Sequence, residues 1–240
     1  MRGFCVSRAL QIAVVCGLMA CDRPDSPSAQ QDDFNPALLE QTVPEFSTGD
    51  FQEVQNQQKT VRDTVGTLIV DRVDGIVKQI LFRPVVLLSP EDFVNQYLPV
   101  TADNQVIKEP YLFRERLPIC RQYYKGVPVE EGTWFFEYHD GLLDRVYGWF
   151  VPIDNLDVAP GVSDDNARKI VENYLKESVV GEDKRFYLSV MSFPVDGQLV
   201  PRLVYVYKYD IWENHEYVYV DAKTGRLLYH LRFHGDYPYY

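Results

Sequence analysis

The groups in this sequence that could do metal or acid–base chemistry are few: four histidines, four cysteines and a scatter of carboxylates. His215-Glu216 is its one His-Glu pair. A zinc-peptidase helix needs two histidines one turn apart with the glutamate as base, and Tyr219 stands where the second histidine belongs. His230 and His234 would share a metal on a helix, but their surroundings read as a strand, which separates them by about 13 Å. Gly161-Val162-Ser163 lacks the second glycine of a nucleophile elbow. The pairs Asp164/Asp165 and Glu130/Glu131 read as helix-start and loop charges, and Cys120 as a small core residue. The expectation is therefore no catalytic residue, no metal, no cofactor, and a protein that is not an enzyme. Arg114, Arg116, Arg121 and Lys125 lie close together on an otherwise acidic chain. They read as charge guarding a sheet edge, with contact to an acidic partner as the alternative.

Composition narrows the classes further. The 240 residues carry a formal net charge of -11, with 46% hydrophobic and 25% charged residues. That is globular composition, and the acid excess argues against a nucleic-acid partner. No run of 18 apolar residues occurs, so no permanent transmembrane helix is expected. Arg2 and Arg8 precede the apolar stretch Ala9 to Ala20, too short to span a bilayer and suited to a signal peptide over residues 1–20. Leu18-Met19-Ala20-Cys21 resembles a bacterial lipobox. The resemblance implies cleavage before Cys21, lipid on its thiol, and a protein anchored to a membrane of the bacterial cell envelope, facing the periplasm or outside. Asp22 points to the inner membrane. Residues 21–60 are acidic and rich in Gln, Ser and Pro, a composition that stays disordered and would reach roughly 35 Å. Asn35-Pro36 could start one short helix within it.

From Val61 onward the pattern is strands with two helices. Asp74-Gly75 and Asp140-Gly141 each sit between alternating apolar runs and predict hairpins. Ser89-Pro90-Glu91-Asp92 has a capping hydroxyl, a first-turn proline and acids at the positive dipole end, so a helix follows. A second helix begins at Ser163, with Ala167, Ile170, Val171, Tyr174 and Leu175 on one buried stripe. Strands follow over 184–193, 199–209, 216–221 and 226–233. The expected class is α+β: two similar units over 61–155 and 156–234, each a helix packed on an antiparallel meander, then a tail over 235–240.

The run Gln122-Tyr123-Tyr124-Lys125-Gly126-Val127-Pro128-Val129, with Gly132 and the Asp140-Gly141 hairpin, resembles the prosegment of thermolysin-type and fungalysin-type metallopeptidases. The second half resembles a PepSY domain through Ser163-Asp164-Asp165, Leu203-Val204-Tyr205-Val206 and Tyr219-Val220-Asp221-Ala222-Lys223-Thr224-Gly225-Arg226. The likeness spans roughly residues 61–233 and implies a cystatin-like or PepSY-like fold. Ile119 stands near the place where the family's strand carries an arginine, and the sequence reads as a prosegment without its peptidase.

Two functions follow, the first from the resemblance and the second from the missing peptidase and the long tether. One is binding a thermolysin-type metallopeptidase in trans, to inhibit it or assist its folding. The family's prosegment leads by its C-terminal end into the active-site cleft, which points to His234, Asp236, Tyr237, Tyr239 and Tyr240 as partner-binding residues. The other is an envelope binding or scaffold lipoprotein whose partner is another envelope protein, reached by adding a strand to a sheet edge.

Overall fold

A computed structural model describes residues 34–110, 117–211 and 214–234. The expected α+β class is what it shows: three α-helices and eleven strands among the described residues. The first meander is prefaced by three strands, β1 (Thr60–Val65), β2 (Leu68–Val73) and β3 (Ile76–Val86). Then come helix α2 (Pro90–Tyr97) and strands β4 (Asn104–Lys108), β5 (Ile119–Tyr124), β6 (Val127–His139) and β7 (Leu142–Gly148). The second meander repeats that order, with helix α3 (Asp164–Leu175) and strands β8 (Lys184–Val195), β9 (Gln198–Ile211), β10 (Asn214–Asp221) and β11 (Leu227–His234). Neighbouring strands of each meander pair antiparallel, and β3 joins the first through β7. The two meanders meet where β6 and β8 run parallel at Val129 and Val190.

Local chemistry explains these elements. Four two-residue turns, Asp74-Gly75, Lys125-Gly126, Asp140-Gly141 and Asp196-Gly197, have φ near +50° and +80° at their two positions. That is the twist-matched turn that selects Asp-Gly and its relatives. Helix α3 starts where Ser163 Oγ accepts from the Asn166 N–H and ends at Lys176 in the left-handed conformation. Strand β1 was not anticipated, because all six of its residues are exposed and no apolar alternation marks it. It forms by pairing with β2, reinforced by Arg62–Asp71 at 2.6 Å and Arg72–Asp63 at 2.9 Å. Strand β4, equally unannounced, pairs β5 at the sheet margin.

The motif that carries the prosegment resemblance is structural. Gln122 is sealed from solvent. Its amide donates to Val151 O at 2.7 Å and Asn104 Oδ1 at 3.0 Å, and its carbonyl accepts from the Val151 N–H at 2.9 Å. Gly132 lies against it, and a Cβ there would fall 2.5 Å from Gln122 Cβ. The pair thus clamps the chain leaving β7 onto the middle of β5.

Residues 34–57, expected within the tether, are instead a strap laid along the second sheet. Phe34, Leu38 and Leu39 pack on the α3 side of the core. A 3-10 turn at Pro36–Glu40, capped by Asn35, realises the expected short helix. Helix α1 (Thr48–Gln57), which was not expected, buries Val54. Phe46 and Phe51 pack on the opposite face of β8, β10 and β11. The aromatic rings outweigh the polar composition, since a few half-buried rings laid on an apolar face can fasten a segment that hydropathy alone leaves free. Cys21, Asp22 and the rest of residues 1–33 lie outside the described residues. The second sheet is consequently covered twice, by α3 on one face and by the strap on the other.

Candidate functional site

Strand alternation decides which groups of the second unit meet. Val218, Val220 and Leu227 face α3, while Tyr217, Tyr219 and Leu228 face the strap side. His215 and Glu216 are neighbours in β10 and therefore point to opposite faces. Glu216, buried on the α3 side, meets His230 Nε2 at 3.0 Å. His230 Nδ1 meets the Tyr174 hydroxyl at 2.9 Å, and Arg232 Nε lies 3.8 Å from the same Glu216 oxygen. His215 is paired with Asp210 and stacks on Phe233 with ring centroids 4.6 Å apart.

The order hydroxyl, imidazole, carboxylate is that of a nucleophilic relay, but the terminal group is wrong for one. Burial first, and the Glu216 charge second, push the Tyr174 hydroxyl above its ordinary value. A phenol held in its protonated form does not attack. With Nε2–H donating to Glu216, the lone pair on Nδ1 accepts from Tyr174, and all three groups are satisfied. The arrangement ties the last turn of α3 to the outermost strand of the sheet. Cys120 is also chemically quiet, because burial pushes its thiol up to about 12.

Glu131, expected as a loop charge, lies within β6 at the junction of the two meanders. It takes the place of a strand. The parallel pairing ends after Val129 and Val190, and Glu131 Oε1 accepts the next free N–H, that of Ser192, at 2.8 Å. Its other oxygen is sealed without a hydrogen-bond partner, and burial pushes the carboxyl up to about 7. Glu130 lies beside it in β6, accepts from Tyr187 Oη at 3.4 Å, and adds a like charge. Of the expected basic cluster, Arg121 lies in β5 and Lys125 in the turn that follows, while Arg114 and Arg116 lie outside the described residues.

The strap builds the most elaborate contact surface. Glu45 N–H donates to Leu227 O at 3.0 Å and Phe46 N–H to Leu228 O at 2.8 Å, so the strap's backbone is hydrogen-bonded to the margin of β11. Gln41 brackets Leu227, accepting from its N–H at 2.7 Å and donating to its carbonyl at 3.1 Å. The Glu45 carboxylate stands 3.6 Å from Arg202 and 3.3 Å from Arg226. The Phe46 ring lies 5.4 Å from Phe193 and 5.4 Å from the Arg202 guanidinium. Phe51 follows against Tyr229 at 4.7 Å. Two clefts take the strap as a wall. One, of about 430 Å³, lies between Val54, Gln57, Trp149 and Leu199. The other, of about 380 Å³, lies between Gln41, Asn173, Tyr174 and Lys176.

Of the residues proposed from sequence for partner binding, His234 closes β11 opposite Asn214. Asp236, Tyr237, Tyr239 and Tyr240 lie outside the described residues, as does the lipidation candidate Cys21. Among the described residues no group of three potential metal ligands converges, and no helix is long and apolar enough to cross a membrane.

This geometry defines an α+β protein built from two helix-and-meander units with a strap across the second. No protein-family model matches the chain, and no curated protein is similar to it. Among solved structures, the Bacillus megaterium YpeB C-terminal domain is similar over 80% of this chain and 100% of that chain, at 10% identity and a TM-score of 0.33. At that score the likeness carries no argument about function.

Proposed function

We propose that this chain is a non-catalytic binding protein, lipid-anchored through Cys21 to the bacterial cell envelope, that engages a thermolysin-type metallopeptidase in trans and inhibits it or assists its folding. One observation carries the reading. β11 is the outermost strand of the second meander, and its last residue, His234, sits at the sheet's end opposite Asn214. The reading takes the residues that follow as the segment offered to the partner's cleft. In this reading His234, Asp236, Tyr237, Tyr239 and Tyr240 supply the contacts, with the aromatic residues as anchors. The test is inhibition of a thermolysin-type peptidase by the chain with and without residues 235–240. Loss of inhibition on truncation supports the reading; an unchanged inhibition constant sinks it.

A second reading is an envelope binding or scaffold lipoprotein with no peptidase partner. It is favoured by the strap, a chain segment hydrogen-bonded at the margin of β11. Affinity capture from the envelope of the source organism separates the two. A captured zinc peptidase supports the first, and a captured protein without peptidase chemistry the second.

A further inference from the structure

The strap is joined to the sheet in the manner of a bound peptide. Its backbone donates two hydrogen bonds to carbonyls at the edge of β11, its acidic side chain meets two arginines, and its next side chain is an aromatic ring laid on an apolar face. Peptides that bind by strand addition divide the work in this way, with main-chain bonds holding the segment and side-chain pockets choosing it. The interior of the strap is otherwise poorly made for permanent burial. Val54 is the one buried residue in α1, and the rest of that helix is polar or half-exposed. Phe34, Leu38, Leu39 and Val54 add apolar contact on either side of the edge, and the polar and ring contacts at the edge itself come from Gln41, Glu45, Phe46 and Phe51.

We propose that the edge of β11 around Leu227 and Leu228, with Arg202, Arg226, Phe193 and Tyr229, is a peptide-binding site that the chain fills with its own strap. In trans it accepts an extended protein segment in which an acidic residue is followed directly by an aromatic one. The inference rests on the second reading above and is independent of the peptidase reading. Glu45 states the charge preference, since Arg202 and Arg226 both reach its carboxylate. Phe46 states the ring preference, since its position is bounded by Phe193 and the Arg202 guanidinium. Gln41 states the polar flank, since its amide reads the backbone of Leu227 in both directions. The strap competes from within the same chain and so acts at a high effective concentration. A partner gains access only in proportion to the fraction of time the strap is released.

The experiment uses the full chain and a fluorescent peptide of the sequence from Gln41 to Gln52. The full chain carrying F46A and F51A should bind this peptide roughly tenfold or more tightly than the unaltered chain, because a weakened strap leaves the site open more often. The same peptide with Glu45 and Phe46 both replaced by alanine should bind the altered chain roughly tenfold or more weakly, because its anchors are gone. A folded F46A/F51A chain that binds neither peptide overturns the proposal, and so does equal binding of the two peptides. Should that variant fail to fold, amide exchange on the unaltered chain decides. Excess peptide should speed exchange at Phe46 while leaving the β9 amides unchanged. Exchange at Phe46 that ignores the peptide overturns the proposal. The readout needs no envelope partner, so a failed capture experiment and a failed peptide titration are separate results.

Discussion

The two covers of the second sheet differ in kind. Helix α3 presents a stripe of Ala167, Ile170 and Val171, all sealed from water, and both of its ends are defined locally, by Ser163 and by left-handed Lys176. The strap covers the opposite face with two rings, the buried Val54 and a short stretch of edge bonding. Its helix α1 is started by the Asp50 carboxylate, which accepts from Ser47 N–H and Oγ, each at 2.7 Å. Those bonds hold the Asp50 carboxyl below its ordinary value. A cover made by a continuous apolar stripe is part of the cooperative core. A cover made by a few anchors can open while the core stays closed, because local openings cost less than global unfolding where apolar contact is sparse.

Substituting the helix cover gives the largest effect. Ile170→Ala should lower the unfolding free energy by about 2–5 kcal/mol, the usual cost of removing a buried isoleucine and leaving a cavity. The loss should appear in a urea titration as one cooperative transition at a lower midpoint. The F46A/F51A chain should behave differently, with β9 and β10 amides still protected. If Ile170→Ala released only α3 and left the sheet folded, the contrast between the covers would collapse.

The seam between the two meanders is a third boundary of the same sheet, and it responds to pH. The Glu131 carboxyl is raised from 4.5 to about 7 in the folded protein by burial, so the folded state holds its proton more tightly than the unfolded chain. The stabilisation is complete below about pH 4.5 and is lost as pH rises toward about 7, over a range worth at most about 3 kcal/mol. Glu131→Gln keeps an acceptor for the Ser192 N–H and removes the ionisation. The variant should match the parent near pH 4 and exceed its stability at pH 8, with a flatter profile of urea midpoint against pH between. A variant less stable than the parent at pH 8 would mean that the carboxylate, rather than its hydrogen-bonded shape, holds the seam.

How much of this was legible in the sequence follows from the same physics. The helices α2 and α3 announce themselves because a cap, a first-turn acid and an apolar stripe agree at each. Three of the four turns with positive φ at both positions are written as Asp-Gly. Strand β1 is hidden because nothing in it is buried, and its pairing with β2 is settled by the partners that β2 presents across the turn. The strap is hidden by its composition, although Ser47 followed by Asp50, with Phe46 and Phe51 alongside, carries a helix start and its anchors. Glu216 is visible in hindsight, as an acid sharing the inward parity of Val218 and Val220 in β10. What no local pattern reveals is its partner, because Tyr174 and His230 arrive from α3 and β11.

That partnership is the subtlest difference between the covers. It fastens the helix to the edge strand by a polar chain, where the strap uses rings and main-chain bonds. Tyr174→Phe removes one hydroxyl, keeps the ring edge-on to His230, and leaves Nε2 on Glu216. The cost should be about 1 kcal/mol, typical of one hydrogen bond when the ring still fills its place. The distribution of that cost is the sharper measurement. If the phenol joins α3 to β11, amide exchange should quicken in the last turn of α3 and across Tyr229 to Leu231, and remain unchanged in β8. Equal quickening across β8, β9 and β11 would make Tyr174 an ordinary part of the core. Quickening confined to the strap would place the phenol's main work in the cleft it lines with Gln41 and Asn173, and the fastening of helix to edge strand would then rest on the apolar stripe alone.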